Sequence, residues 1–241
     1  MKIYGLIKTT LLDYPGKVAS TIFLGGCNLR CPFCHNMNLV TGINNIDPIP
    51  YEEVMNHLQS RAGVIDGVCI TGGEPTLEPD LIRLIRSIKD LGFLVKLDSN
   101  GTQASVLEDL LSKNLLDYIA IDIKSSFTMY SNICFSEKDV IAQKYIDDII
   151  NNVSDTIHML ISQNQVPYEF RTTVIREYHD LNVFKQIGEM LENADSYYLQ
   201  NFRDSESVPN RNLHGYTKGE LQTFADMLSA KIKHVGIRGV D

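Results

Sequence analysis

Three cysteines stand within eight residues in the segment Gly25-Gly26-Cys27-Asn28-Leu29-Arg30-Cys31-Pro32-Phe33-Cys34-His35-Asn36, spaced C-x3-C-x2-C. A tight loop with that spacing can aim three thiols inward at one centre. Thiolates are the soft ligands that iron–sulfur clusters take. No fourth cysteine lies nearby, since Cys69 sits inside an apolar run and Cys134 in a separate segment. Three ligands on a four-iron cluster would leave one iron open to an exogenous ligand. Two other readings fit the same residues. A zinc site needs a fourth donor, which His35 would supply, and a redox C-x-x-C pair would use Cys31 and Cys34 alone. Cys69 and Cys134 read as small buried apolar residues.

Other polar residues gather at comparable places along the chain. Each follows or ends a short β-rich apolar run. Those runs are Thr21–Leu24, Val68–Thr71, Phe93–Leu97, Tyr118–Ile121, Glu169–Ile175 and Tyr197–Asn201, and their shortness suits buried parallel strands. Helical patterns follow at Tyr51–Ser60, Pro79–Leu91, Ser105–Lys113, Glu137–Asn151, Val183–Leu191 and Lys218–Lys231. Val54, Met55 and Leu58 share one face of the first; Leu81, Leu84, Ile85 and Ile88 share one face of the second. Ser105 with Glu108 has the spacing of a capping box. Six strand–helix units predict an α/β fold with a parallel sheet and helices outside it. Six are too few for an eight-stranded barrel, so a curved, open, partial (β/α)6 barrel is expected. Residues 1–241 then form a single domain: an N-terminal extension or hairpin over 1–19, the barrel core over 20–202, and a C-terminal helix and tail over 203–241.

In such folds ligands sit at the C-terminal ends of the strands. The cysteine loop follows the first run and Gly72-Gly73-Glu74-Pro75 the second. Asp98-Ser99-Asn100-Gly101 follows the third and Asp122-Ile123-Lys124 the fourth. Arg171 lies within the fifth, and Gln200 and Asn201 end the sixth. Glycines at 72 and 73 let a ligand approach the backbone, with carbonyls free to accept from an ammonium. Glu74 would orient that segment or contact the ligand. Asp98, Ser99 and Asn100 offer small polar contacts, or form a plain turn. Arg171 inside a β run should face a cavity, and a carboxylate suits its planar fork.

The chain has 241 residues, 44% of them hydrophobic, and a formal net charge of −8 with a sequence pI near 5.2. That acidity argues against non-specific nucleic-acid binding. The N-terminus lacks the apolar core and cleavage site of a signal peptide. No run approaches the ~18 apolar residues of a membrane span. A cytoplasmic location is expected, where thiols stay reduced and clustered cysteines mean metal or catalysis.

The C-x3-C-x2-C loop, with aromatic Phe33 before its last cysteine, resembles the signature of the radical S-adenosylmethionine (SAM) superfamily. The longer stretch LDYPGKVASTIFLGGCNLRCPFCHN is similar to the glycyl-radical-enzyme activases, among them that of pyruvate formate-lyase. The likeness is greatest to activases of anaerobic ribonucleoside-triphosphate reductase. It runs from about Leu11 to Asn201 and is weakest at the C-terminal end. The resemblance implies a [4Fe–4S] cluster on Cys27, Cys31 and Cys34, with SAM on the open iron. Reductive cleavage of SAM would give a 5′-deoxyadenosyl radical. It implies SAM contacts from Phe33, Gly72, Gly73, Glu74, Asp98, Ser99, Asn100, Lys124 and Arg171. A monovalent cation beside Asp98, Ser99 and Asp122 follows by the same match. Where the family has a sixth-strand His, this chain has Gln200 and Asn201. The implied partners are a glycyl-radical enzyme, most closely the anaerobic ribonucleotide reductase large subunit, and a flavodoxin- or ferredoxin-type reductant, in an anaerobic setting. The absence of a second cysteine cluster or an inserted ferredoxin-like module fits a compact activase. The competing expectations are an activase for another glycyl-radical enzyme, a small-molecule enzyme of the deazapurine-synthase kind with a sealed pocket, and a non-enzymatic metal-binding module.

Overall fold

The computed structural model describes residues 1–135, 141–163 and 165–240. Eight strands form one sheet whose spatial order is the order of the chain. They are β1 (Ile3–Thr10), β2 (Ala19–Leu24), β3 (Gly67–Gly72), β4 (Leu94–Ser99), β5 (Tyr118–Asp122), β6 (Tyr168–Val174), β7 (Ser196–Asn201) and β8 (His234–Arg238). The β1–β2 pair is antiparallel and every later pair is parallel. The sheet stays open, with β1 and β8 at its edges. β2 to β7 are the six expected strands.

Among the described residues eight α-helices accompany the strands: α1 (Met37–Val40), α2 (Tyr51–Ser60), α3 (Leu81–Asp90), α4 (Ala104–Ser112), α5 (Tyr130–Cys134), α6 (Gln143–Ser162), α7 (Leu181–Met190) and α8 (Lys218–Leu228). The apolar stripe of α3 is buried in full, with Leu81, Leu84, Ile85 and Ile88 at or below 2% exposure. Burying each such side chain stabilises the fold by roughly 1.5–3 kcal/mol. In α2, Val54 and Leu58 are buried, and Met55 packs at the edge.

Two helical expectations are corrected. α4 begins one residue before Ser105, with Gln103 at its N-cap and no side-chain cap. The chain enters it already held, because Thr102 is bonded through both its backbone N and its hydroxyl to Asn100 Oδ1. Ser105 and Glu108 therefore lie inside the helix. The pattern read over Glu137–Asn151 belongs to a longer helix, α6, which runs on to Ser162 because Val153, Ile157 and Leu160 continue the buried stripe. Residues 137–140 of that expectation lie outside the described residues.

The concave side of the sheet is polar. Glu169 on β6 is 1% exposed. It accepts both arms of Arg238 from β8, at 2.7 and 2.8 Å, and the Tyr118 hydroxyl at 2.9 Å. Arg238 also lies 3.5 Å above the Tyr198 ring. The C-terminal tail thus adds an eighth strand and clamps β8 to the inside of the sheet. Lys96 on β4 is buried beside Asp98 and the sulfur of Cys69.

Candidate active site

The C-terminal ends of the parallel strands surround a cavity of about 210 Å³, partly open to solvent. Cys27, Cys31 and Cys34 line it from the loop after β2, together with Phe33, Gly72, Gly73, Asp98, Ser99, Asn100, Asp122, Lys124, Arg171 and Gln200. Nearly every residue singled out by type and spacing is brought to this rim. Glu74 and Asn201 are the exceptions.

The cysteine loop is fastened from several sides. Gly26 N donates to Leu39 O, Arg30 N to Cys134 O, and Cys34 N to Cys31 O. The Arg30 guanidinium turns back onto the carbonyls of Cys27 and Leu29. Phe33 is 4% exposed and packs near the Tyr178 ring. Burial pushes the Cys27 thiol up to about 12 and raises Cys34. Cys31 is lowered instead, through a hydrogen bond with Cys134. Cys134 is thus more than filler, because its thiol adjoins a candidate ligand. A metal bound here would displace protons from these thiols.

Among the described residues no three His, Cys, Asp or Glu side chains gather closely enough to hold a single metal ion. His35 does not close a fourth position. Its Nε2 lies 2.7 Å from Arg203 O, and its ring rests against Phe202.

The Gly72-Gly73-Glu74 segment is tied closely to the cysteine loop. Gly72 has φ +125°, and a Cβ there would lie 2.1 Å from Leu24 O. At Gly73 a Cβ would lie 1.9 Å from Gly26 O. Glycine is required because two backbones touch: Gly73 N donates to Leu24 O, and Glu74 N donates to Gly26 O. The Gly72 carbonyl, expected to be free for a ligand, accepts from Asn36 Nδ2 at 2.8 Å. Glu74 is 1% exposed. Its carboxylate accepts from Thr76 N and Oγ1, Ser99 Oγ and Asn100 N. Of the two roles open to Glu74, orienting the segment is the one the geometry gives it. Burial raises its carboxyl above the ordinary range, against the pull of these donors.

Asn100 is as fully committed. Its Oδ1 accepts from Thr102 N and Oγ1. Its Nδ2 donates to Asn28 Oδ1 at 2.9 Å and lies 3.8 Å from Cys27 Sγ. The Ser99 hydroxyl, which donates to Glu74, also accepts from Gly101 N.

The wall formed by β4, β5 and β6 is ionic. Arg171 bridges two strands, donating from Nη2 to Asp98 at 3.0 Å and from Nε to Asp122. Lys124 Nζ donates to Asp122 at 3.0 Å, and Lys96 closes the row on Asp98. Three cationic groups therefore face two carboxylates. Burial alone would raise Asp122, yet Arg171 and Lys124 hold it well below the usual carboxylate range. The same contacts hold Lys124 and Arg171 above theirs despite desolvation.

At the end of β7, Gln200 reaches the cavity, whereas Asn201 turns away and exchanges two hydrogen bonds with the backbone of Tyr216. Sequence reasoning missed Asn28, Asn36, Thr76, Thr102 and Lys96. The first two sit inside the cysteine segment, where an asparagine next to Cys27 and another two residues past Cys34 were the available signal. Lys96 also had one, as a lysine inside an apolar run.

A family model for the radical SAM superfamily matches residues 21–185. A Methanocaldococcus jannaschii protein named as a glycyl-radical enzyme activating enzyme is 31% identical over 242 residues, covering 99% of this chain and 96% of that protein. The pyruvate formate-lyase-activating enzyme of Clostridium pasteurianum is 30% identical over 131 residues, covering 51% and 52%. Among solved structures, Streptococcus suis SuiB bound to its precursor peptide SuiA superposes with a TM-score of 0.66 at 12% identity. The match covers 90% of this chain and 48% of that one, a likeness of fold. The chain belongs to the radical SAM superfamily, in its glycyl-radical-enzyme activase group. It is an enzyme, and the family implies a [4Fe–4S] cluster and SAM.

Proposed function

We propose that Cys27, Cys31 and Cys34 hold the [4Fe–4S] cluster, and that the enzyme installs a glycyl radical on a partner protein. The observation that carries this reading is one cavity lined both by the three thiols and by the Arg171 and Lys124 cations. Bound there, the cluster and SAM would supply the radical chemistry that abstracts hydrogen. The protein's part is to hold, orient and shield. Arg171 and Lys124 would take the SAM carboxylate, exchanging part of their bonding to Asp98 and Asp122 for it. Phe33 and Gln200 would shape the pocket beside the ligand. Asp98 and Asp122 already face three cationic groups, so a monovalent cation would settle there only once Arg171 had moved onto a ligand.

The cavity opens to solvent at the strand ends, which suits a substrate delivered as a protein loop. The glycyl-radical enzyme we favour is the anaerobic ribonucleotide reductase large subunit, served by a flavodoxin- or ferredoxin-type reductant in the cytoplasm. Among the described residues no helix is long and apolar enough to cross a membrane.

The test mixes reduced, anaerobically reconstituted enzyme with SAM and the reductase large subunit. A glycyl-radical doublet in the electron paramagnetic resonance spectrum is expected, and none from Cys31→Ala. A doublet only with a different glycyl-radical enzyme would reassign the partner. Formation of 5′-deoxyadenosine by Cys31→Ala would overturn the ligand assignment.

A further inference from the structure

We propose that Asn100 is a positioning residue for the cluster rather than a SAM contact: its amide donates a hydrogen bond to the Cys27 sulfur and so raises the reduction potential. The inference rests on Cys27 being a cluster ligand, as proposed above. Two N–H groups address that sulfur. Leu29 N lies 3.4 Å away and Asn100 Nδ2 3.8 Å away. The first belongs to the cysteine loop itself, but the second comes from the end of β4, 73 residues on.

Asn100 cannot turn toward a ligand without breaking several bonds. Thr102 holds its Oδ1 through two donors, at 3.0 Å and 2.7 Å. Its Nδ2 also reaches Asn28 Oδ1 at 2.9 Å, and Asn28 returns its own amide to Thr102 Oγ1 at 2.8 Å. Asn28, Asn100 and Thr102 thus close a ring of side chains around the Cys27 corner. Glu74 anchors the ring by accepting from Asn100 N at 2.6 Å. Asn100 is 5% exposed, so little water competes for these groups. The ring leaves Nδ2 as the one side-chain group of Asn100 directed at the metal-binding loop, and it fixes which end of the amide points there.

Hydrogen bonds to cluster sulfurs are among the features that set iron–sulfur potentials. A donor withdraws charge from the thiolate and favours the more negative, reduced cluster. Removing it should make the cluster harder to reduce. Asn100→Asp keeps the acceptor for Thr102 but replaces the N–H with an anionic oxygen beside sulfur. Thr102→Val leaves Asn100 in place and removes the hydroxyl that closes the ring.

The experiment is anaerobic redox titration of the reconstituted holoenzymes, followed by the electron paramagnetic resonance signal of the reduced cluster. Iron and sulfide are counted per chain, and SAM affinity is measured in parallel. For Asn100→Asp the expected result is about tenfold less reduced cluster at a fixed potential, equal to about 59 mV for a one-electron couple. Cluster content should be full and SAM affinity within about twofold of the parent. Thr102→Val should shift the same way by about threefold. An unchanged potential in Asn100→Asp with a full cluster overturns the proposal. So does a large loss of SAM affinity at unchanged potential, which would make Asn100 a ligand contact. If Asn100→Asp takes up no cluster, Thr102→Val decides, and no shift there overturns the proposal equally. A parent protein that yields no four-iron cluster would instead sink the underlying assignment of Cys27, Cys31 and Cys34.

Discussion

The two walls of the cavity are built on opposite electrostatic plans. From the cysteine loop to the end of β4, the polar groups are amides and hydroxyls gathered around one buried carboxylate, Glu74, with four donors on it. From β4 to β6 the wall is a row of charges, Lys96, Asp98, Arg171, Asp122 and Lys124, each paired with the next. On the first wall every bond joins one part of the chain to another, which suits a surface that must hold three thiols in place. The second wall holds cations whose partners are side chains that a ligand carboxylate can replace. Under the proposed function, the first wall positions and the second binds. Substitutions on the first should cost stability, and those on the second should cost affinity.

Glu74→Gln probes the first wall and should give the largest change. Glutamine keeps one acceptor oxygen but presents an NH2 group to donors that previously met oxygen. A buried donor left without an acceptor costs roughly 1–3 kcal/mol. The metal-free protein should therefore lose about 2–4 kcal/mol of unfolding free energy in urea. A loss below about 1 kcal/mol would mean that the Glu74 network does not carry this wall.

Arg171→Lys probes the second wall. Lysine keeps the charge but not the planar fork that bridges Asp98 and Asp122. SAM affinity of the anaerobic holoenzyme should fall about tenfold, or ~1.4 kcal/mol, while urea stability changes less than in Glu74→Gln. The contrast between the walls would collapse if the two variants exchanged phenotypes, with Arg171→Lys unfolding easily and still binding SAM at parental affinity.

The sequence was most legible where local pattern and chemistry coincide. β-rich runs ending in polar residues placed Cys27, Gly72, Asp98, Asp122 and Arg171 at one rim, because parallel strands present their C-terminal ends together. The roles of single atoms were less legible, since they depend on contacts between distant segments. The contact that puts Gly26 O where a Gly73 Cβ would be cannot be read from the chain order. The hold that Asn28 and Thr102 have on both ends of the Asn100 amide is likewise visible only in the fold. β8 escaped because His234-Val235-Gly236-Ile237-Arg238 is short and only weakly β-like. It is fixed by its ladder to β7 and by Arg238 gripping Glu169 across 69 residues. The start of α4 was misplaced because local turn bonds from Thr102 to Asn100, rather than a cap at Ser105, hold the entry to that helix.

His179 sharpens the comparison most gently, because it supports the ionic wall from behind without a charge of its own. It is fully buried. Its Nδ1 accepts from Ile175 N at 3.1 Å, and its Nε2 lies 2.9 Å from Lys124 O, an arrangement that fits a neutral ring with the proton on Nε2. Burial lowers its pKa below the usual histidine value. The unfolded chain therefore binds this proton first as the medium is acidified, and stability falls as pH drops below about 6.5. The depressed Asp122 carboxyl adds a similar loss only under much more acidic conditions, below the ordinary Asp range. Between pH 7.5 and 5.5, His179 should cost the parent protein at most about 1.4 kcal/mol. His179→Gln can preserve both hydrogen bonds and does not titrate, so its urea stability should vary less over that interval. Parallel pH profiles for parent and variant would show that His179 takes up its second proton in the fold as readily as in the unfolded chain, and Lys124 would then sit against a neighbour that becomes charged near pH ~6.5 rather than a neutral strut.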